Sequence, residues 1–185
     1  QFGVNAVRFH KFTSHAMKSE VSTELDADML DRMDYFHAKL KENGIYVGWS
    51  HIYGHKPKPG DRGRLIAYDE IANIEVPWSH LNSATSGLVN FARDLQDLNI
   101  ALTVNMLNHV NPYTGMKYAE DPALNFIELQ NEDNIFWGAI EASLEQTPTY
   151  KNLLSKQFSE WLKKEYGSQE DLEEAWGKEN IPEGQ

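Results

Sequence analysis

Hydrophobic and polar positions along the chain follow two alternating periods. Residues 3–12 read as a strand in which Val4, Ala6, Val7 and Phe9 are mixed with Arg8 and His10 near its far end. A polar stretch over residues 13–23 follows. Asp26 is then placed to cap a helix whose apolar positions Met29, Met33, Phe36 and Leu40 recur at steps of four, three and four, with Asn43-Gly44 as its stop. Residues 45–49 form a second short strand. It leads through Ser50 and His51 into a loop rich in Gly, Pro and Lys over residues 54–63, long enough to be functional rather than a plain connector.

Leu88, Phe91, Leu95, Leu98 and Leu102 step by three, four, three and four, predicting a long helix that continues to His109 before Asn111-Pro112 ends it. Residues 126–130 read as a third strand, with Ile127 and Leu129 on one face and Phe126, Glu128, Gln130 and then Glu132 on the other. Thr147-Pro148 opens the last long helix, whose Leu154, Phe158 and Trp161 are expected to face inward until Gly167. Ser168 caps a short helix carrying Leu172 and Trp176, and residues 178–185 are a polar tail. No low-complexity segment and no residue-level repeat interrupts this order. The order β-α-β-α-β-α predicts an α/β fold with parallel strands, about three βα units, either a small open sheet or part of a (β/α)8 barrel.

Composition narrows the partners. The 185 residues are 41% hydrophobic and 24% charged, a globular balance that makes one domain over residues 1–185. Seventeen Lys and Arg against 28 Asp and Glu give a net charge of −11, which repels phosphate backbones and anionic membranes and favours a neutral or cationic ligand. No nucleic acid and no membrane is expected as a partner. With no cysteine there is no disulfide, thiol nucleophile or Cys-type zinc site. No apolar run is long enough to span a bilayer, and the start at Gln1 without a signal-peptide pattern reads as processed, trimmed or fragmentary.

Chemistry concentrates in Phe126-Ile-Glu-Leu-Gln-Asn-Glu-Asp-Asn134. An apolar strand ending in Asn131-Glu132 puts a carboxylate at the carboxyl edge of a parallel sheet, where α/β active sites are built. A bare Asn-Glu pair is also an ordinary polar loop capping the next helix. His51-x-x-x-His55 has zinc-ligand spacing but lies in a Gly/Pro-rich loop without the Glu a zincin requires, so no metal is assigned. A Gly-x-Ser-x-Gly elbow and a Gly-rich phosphate loop are both missing, which removes the serine hydrolase and nucleotide-binding readings.

Taken together, the ordered segments resemble the retaining (β/α)8-barrel glycoside hydrolases, closest to cellulase-like family 5 and β-galactosidase-like family 42. Gly3-Val-Asn-Ala-Val-Arg-Phe-His10 resembles their second strand. The run from His109-Val-Asn-Pro-Tyr-Thr-Gly115 through Tyr118, Asp121-Pro-Ala123 and the Asn-Glu strand resembles a block of cellulase-like barrels. Residues 158–176 are similar to the fourth helix and its extension. The resemblance implies a partial (β/α)8 TIM barrel, about strands two to four, the N-terminal-half portion of a glycosidase catalytic domain. It implies Glu132 as general acid/base, Asn131 on the sugar 2-hydroxyl and Arg8 near the catalytic carboxylates, with a nucleophile from a later strand missing from this chain.

A retaining mechanism needs a protonated acid and a second carboxylate about 5 Å away. The acid needs a pKa above the ordinary carboxylate range, supplied by partial burial or a nearby like charge. Glu128, deeper on the same strand face, reads as a structural carboxylate. His10, Trp49, His51, Tyr113 and Trp137 are expected to bind substrate, with Tyr53 and Trp78 as further candidates, because aromatic faces pack on pyranose rings. Trp161 and Trp176 have core spacing. The expected partner is a β-linked poly- or oligosaccharide, with no cofactor and with the missing barrel remainder or a second subunit alongside. A secreted or periplasmic location accords with the resemblance. The alternative is a catalytically silent carbohydrate-binding or structural barrel fragment.

Overall fold

The computed structural model describes residues 3–50, 52–136 and 138–181. Strands β1 (Ala6–His10), β2 (Tyr46–Ser50) and β5 (Leu124–Glu128) form a parallel sheet in the order β1-β2-β5. A two-stranded antiparallel hairpin of β3 (Val110–Asn111) and β4 (Met116–Lys117) stands apart from it. Helices flank the sheet, and the described residues form no closed barrel. Among those residues no helix is long and apolar enough to cross a membrane.

Local signals set the helix ends. α1 (Phe12–Ala16) is a short turn inside the stretch expected to be polar coil. α2 (Ala27–Glu42) starts where Asp26 Oδ1 accepts the N–H groups of Asp28 and Met29 at 3.0 and 3.3 Å, satisfying two otherwise orphaned donors. α3 (Tyr68–Ala72) is a short helix in the long β2–β5 connection, after a 3-10 turn at Pro59–Arg64 that fills part of the expected loop. The long helix expected from residue 88 is broken. Leu88–Asn90 is a 3-10 turn after Gly87 at φ 76, Ala92 is extended, and α4 runs only over Arg93–Asn108. Its buried stripe, Leu95, Leu98, Leu102 and Met106, is nonetheless the one the spacing predicts, extended by one turn. α5 (Gly138–Gln146) was not expected, whereas α6 (Pro148–Tyr166) and α7 (Gln169–Trp176) lie where Pro148 and Ser168 place them.

The core has two parts. One, beneath the sheet, contains Val47, Trp49, Leu102, Met106 and Tyr118, with Val7, Phe9, Leu124 and Ile127 packed against it. The other joins Ile71, Ile74, Leu88, Leu95 and Tyr150. Side chains alternate across a strand, so Val7, Phe9, Val47 and Trp49 turn to this covered face while Ala6, Arg8, His10 and Tyr46 turn to the other. An irregularity between the Val47–Leu124 and Gly48–Phe126 pairs lets Phe126 join the second face. That face is largely open, with Tyr46 50% and Phe126 46% exposed, although parallel sheets are ordinarily covered on both sides.

Three expectations are corrected here. Trp49 is fully buried between Phe12 and Tyr118, so it is a core side chain and not a sugar platform. Phe158 and Trp161 do not face inward: they are 43% and 48% exposed and pack on each other, on Trp176 and on Tyr166, while α6 buries Tyr150 and Leu162 instead. The third strand ends at Glu128, two residues earlier than the alternation predicts, so Gln130 and Glu132 belong to the following loop.

Candidate active site at the carboxyl edge of the sheet

The parallel register brings the strand ends together, His10 opposite Ser50 and Ser50 opposite Glu128. Arg8, one pleat below His10, reaches across this edge. Its Nη2 donates to Glu128 Oε2 at 2.6 Å, Asn131 Oδ1 at 2.7 Å and Ser50 Oγ at 2.9 Å. That nitrogen carries two hydrogens, so one is shared between two acceptors. The guanidinium thereby ties β1 to the end of β5 and to the loop beyond it.

Ser50 is the junction. Its side chain is buried, and its oxygen is 2.9 Å from His10 Nδ1 as well as from Arg8. Ser50 and Arg8 hold the Glu128 carboxyl below the usual carboxylate range, by hydrogen bonding first and by the guanidinium charge. The assignment that satisfies every partner gives the Ser50 hydrogen to Glu128, makes His10 Nδ1 a donor to Ser50 Oγ, and leaves His10 Nε2 as an acceptor. Partial desolvation, then Arg8 and Lys11, lowers the His10 pKa against the opposing charges of Glu128 and Glu132. His10 is thus a neutral imidazole at neutral pH, and Glu128 an anion.

Asn131 is 8% exposed, its N–H donates to Ile52 O at 3.1 Å and its Oδ1 is taken by Arg8, while its buried Nδ2 has no hydrogen-bond partner among the described residues. An unmet buried amide donor costs about 1–3 kcal/mol. The next residue, Glu132, is exposed and has φ 48, in the left-handed region that non-glycine residues seldom adopt. Asp133 anchors the loop from the other side: it accepts the N–H of Gly87 at 2.7 Å and bonds Gln130, and burial raises its pKa. The loop therefore presents Glu132 to solvent between two fixed neighbours.

The sequence-predicted residues divide as follows. Arg8, His10 and Asn131 meet at this edge, and Glu132 stands beside them. Tyr113 lies on the β3–β4 turn, where its hydroxyl donates to Asp31 Oδ1 at 2.8 Å and its ring meets Tyr35 on α2, so its contacts are with the helix and not with the strand ends. His51 and Trp137 lie outside the described residues. His55, the second member of the histidine pair, is buried with Nε2 2.7 Å from Ser22 Oγ. Among the described residues no three His, Asp or Glu side chains are grouped to hold a metal ion. Ser50, Lys11 and His80 were not singled out from sequence. Position at a strand end was the available signal for Ser50 and Lys11, and nothing local marks His80. No protein-family model, no curated protein and no solved structure matches the chain.

Proposed function

We propose that the chain is the part of a retaining (β/α)8-barrel glycoside hydrolase that carries the general acid/base, Glu132, and acts on a β-linked poly- or oligosaccharide. The observation that carries this reading is the Arg8 clamp. One guanidinium fixes Glu128 and Asn131 and so sets the following carboxylate, Glu132, in the open at the carboxyl edge of a parallel sheet. A sheet whose chain order equals its spatial order, open on one face and at both edges, supports a barrel segment. The unmet Asn131 Nδ2 supports a hydroxyl-bearing ligand, since a sugar hydroxyl reaching it would accept that hydrogen bond.

The roles follow from chemistry. Glu132, as acid, donates a proton to the departing glycosidic oxygen; as base, it takes one from the water that cleaves the glycosyl-enzyme intermediate. Glu128, held ionised by Arg8, keeps Arg8 and Asn131 in place. A retaining mechanism also needs a nucleophilic carboxylate about 5 Å from the acid, a role not given to Glu128, which is paired with Arg8. The second reading, a catalytically silent carbohydrate-binding fragment, is favoured by one observation: the carboxylate next to Glu132 at this edge, Glu128, is committed to Arg8 and Ser50.

Glu132→Gln in the protein that contains this chain tests the reading. Turnover of glycosides with poor leaving groups should fall by roughly 10²–10⁴-fold, and of activated aryl glycosides, whose leaving groups need little protonation, by much less. Near-normal turnover on both would remove Glu132 from the mechanism.

A further inference from the structure

No residue of the Arg8 network lines a second cavity of about 440 Å³, which lies between the segment after α1, the first turns of α2 and the last turns of α4. That volume is within the range of small-molecule sites. Leu25, Leu30, Leu102 and Met106 make its apolar wall, and Asn105 and His109 are polar groups beside it. Asn105 Nδ2 donates to Thr23 O at 2.9 Å, which leaves Oδ1 as a free acceptor among the described residues. His109 caps the carboxyl end of α4, and its side chain is 28% exposed. Its Nε2 lies 2.6 Å from Asp34 Oδ2, and the buried Asp34 also takes the Tyr118 hydroxyl, so the carboxylate accepts and the imidazole donates. In the neutral ring Nδ1 is then an acceptor, and it has no hydrogen-bond partner among the described residues.

The charges around the cavity are mostly negative. Lys18, on the rim, is paired with Glu24, and Glu24, then Glu20 and Asp26, hold its ammonium above the usual lysine range. Lys117 reaches Asn108 Oδ1 at 3.4 Å. Glu20, Glu24, Asp26 and the Asp34 carboxylate behind His109 thus outnumber these two ammonium groups, and the carboxyl end of α4 adds its partial negative charge.

We propose that this cavity binds a small organic ammonium ion, its charged end at His109 Nδ1 and Asn105 Oδ1 and its apolar body on the leucine and methionine wall. The inference goes beyond the glycosidase reading and does not rest on it. An alkylammonium carries only donors, and the two groups offered to it are acceptors. Asp34 fixes which ring nitrogen of His109 holds the proton, so the acceptor is in place before a ligand arrives. A carboxylate would meet the excess of acidic charge, and a neutral apolar molecule would use the wall alone. The net charge of −11 favours the same cation at long range.

The test titrates three probes into the protein by calorimetry at about pH 8, above the ordinary histidine range: phenethylammonium, the neutral phenethyl alcohol and the anion phenylacetate. The ammonium should bind about tenfold more tightly than the alcohol, the effect of one good charge-assisted hydrogen bond, and phenylacetate more weakly than either. His109→Phe and Asn105→Leu should each narrow that preference without weakening the alcohol. Circular dichroism shows which variants keep the fold, and Asn105→Leu carries the test if His109→Phe, which strips the buried Asp34 of a partner, unfolds. Nitrogen NMR of the histidine rings gives a separate readout: the His109 Nδ1 signal of a neutral ring should move to lower frequency as it accepts the ligand's hydrogen bond. An imidazolium spectrum for His109 at that pH, equal affinity for ammonium and alcohol, or tighter binding of phenylacetate overturns the inference. So does a preference unchanged in every folded variant, or no binding of any probe. The glycosidase reading fails separately, through normal turnover of Glu132→Gln.

Discussion

Asp34 offers the sharpest test of how the fold is held. It is 1% exposed on α2, its Oδ2 lies 2.6 Å from His109 Nε2, its Oδ1 accepts the Tyr118 hydroxyl at 2.7 Å, and its backbone oxygen accepts Asn111 Nδ2 at 3.0 Å. The β3–β4 hairpin and the segment after it are thereby fastened to the helix. Burial and the adjacent carboxylate push the Tyr118 pKa far above its ordinary value, so the phenol remains a donor. Asp34→Ala leaves that buried hydroxyl without an acceptor, at about 1–3 kcal/mol, and removes a charge-assisted bond to a partly exposed histidine, about 1.5 kcal/mol. Relief of carboxylate desolvation offsets part of this, leaving a net loss of about 3 kcal/mol. For a chain of this size that is roughly 6–12 °C in Tm. Asp31→Ala, which removes only the exposed Tyr113 contact, is the control and should cost under about 0.5 kcal/mol. In a double-mutant cycle, Tyr118→Phe should recover part of the Asp34→Ala loss, because the orphaned hydroxyl is gone. Additive losses, or an Asp34→Ala Tm within about 2 °C of the control, would refute the reasoning.

Two further outcomes follow from packing and protonation. His37 is fully buried with Nε2 3.3 Å from Asp121 Oδ2, and burial lowers its pKa below 6.5 despite the pull of that carboxylate. The folded state thus binds its proton less readily than the unfolded chain, and the stability it contributes above its unfolded pKa is lost as pH falls through the lower, folded value. Tm should drop as pH falls below about 6.5, and His37→Gln should flatten that drop; an unchanged slope in the variant counts against His37 as its source. At Gly48 a Cβ would lie 2.1 Å from Phe126 Cε1, so Gly48→Ala drives the half-exposed ring off the sheet at about 1 kcal/mol. The same substitution in a Phe126→Ala background should cost measurably less in thermal unfolding, and an equal loss in both backgrounds would mean the clash is not the cause.

Where the fold is dictated by neighbours in sequence, the chain is legible. Asp26, Asn43-Gly44, Pro148 and Ser168 act within one helical turn, and α2, α6 and α7 begin or end as those residues require. Where tertiary packing decides, periodicity misleads. The stripe of Met29, Met33, Phe36 and Leu40 marks α2 as a helix, yet Met29 and Phe36 are 38% and 52% exposed, and the buried positions include Asp34 and His37. Those two polar residues are inside because His109, Tyr118 and Asp121, 75 to 84 positions later, return to satisfy them. Gly115 at φ 68 turns the Asn111-Pro-Tyr-Thr-Gly segment into a hairpin whose strands are too short for alternation to register.

The site divides along the same line. Arg8 and Asn131 are legible singly, as polar residues near strand ends, but the bond between them spans 123 residues and the Ser50 junction spans 42. No local pattern encodes either. The two-residue shift of β5 matters most. With the strand ending at Glu128, that carboxylate and not Glu132 takes the Arg8 guanidinium. Arg8 offers one planar group, and the carboxylate that receives it is held as an anion at the sheet edge. Glu132, displaced into a loop pinned by Asn131 and Asp133, remains exposed. That one glutamate is paired and the other exposed therefore follows from where the strand stops.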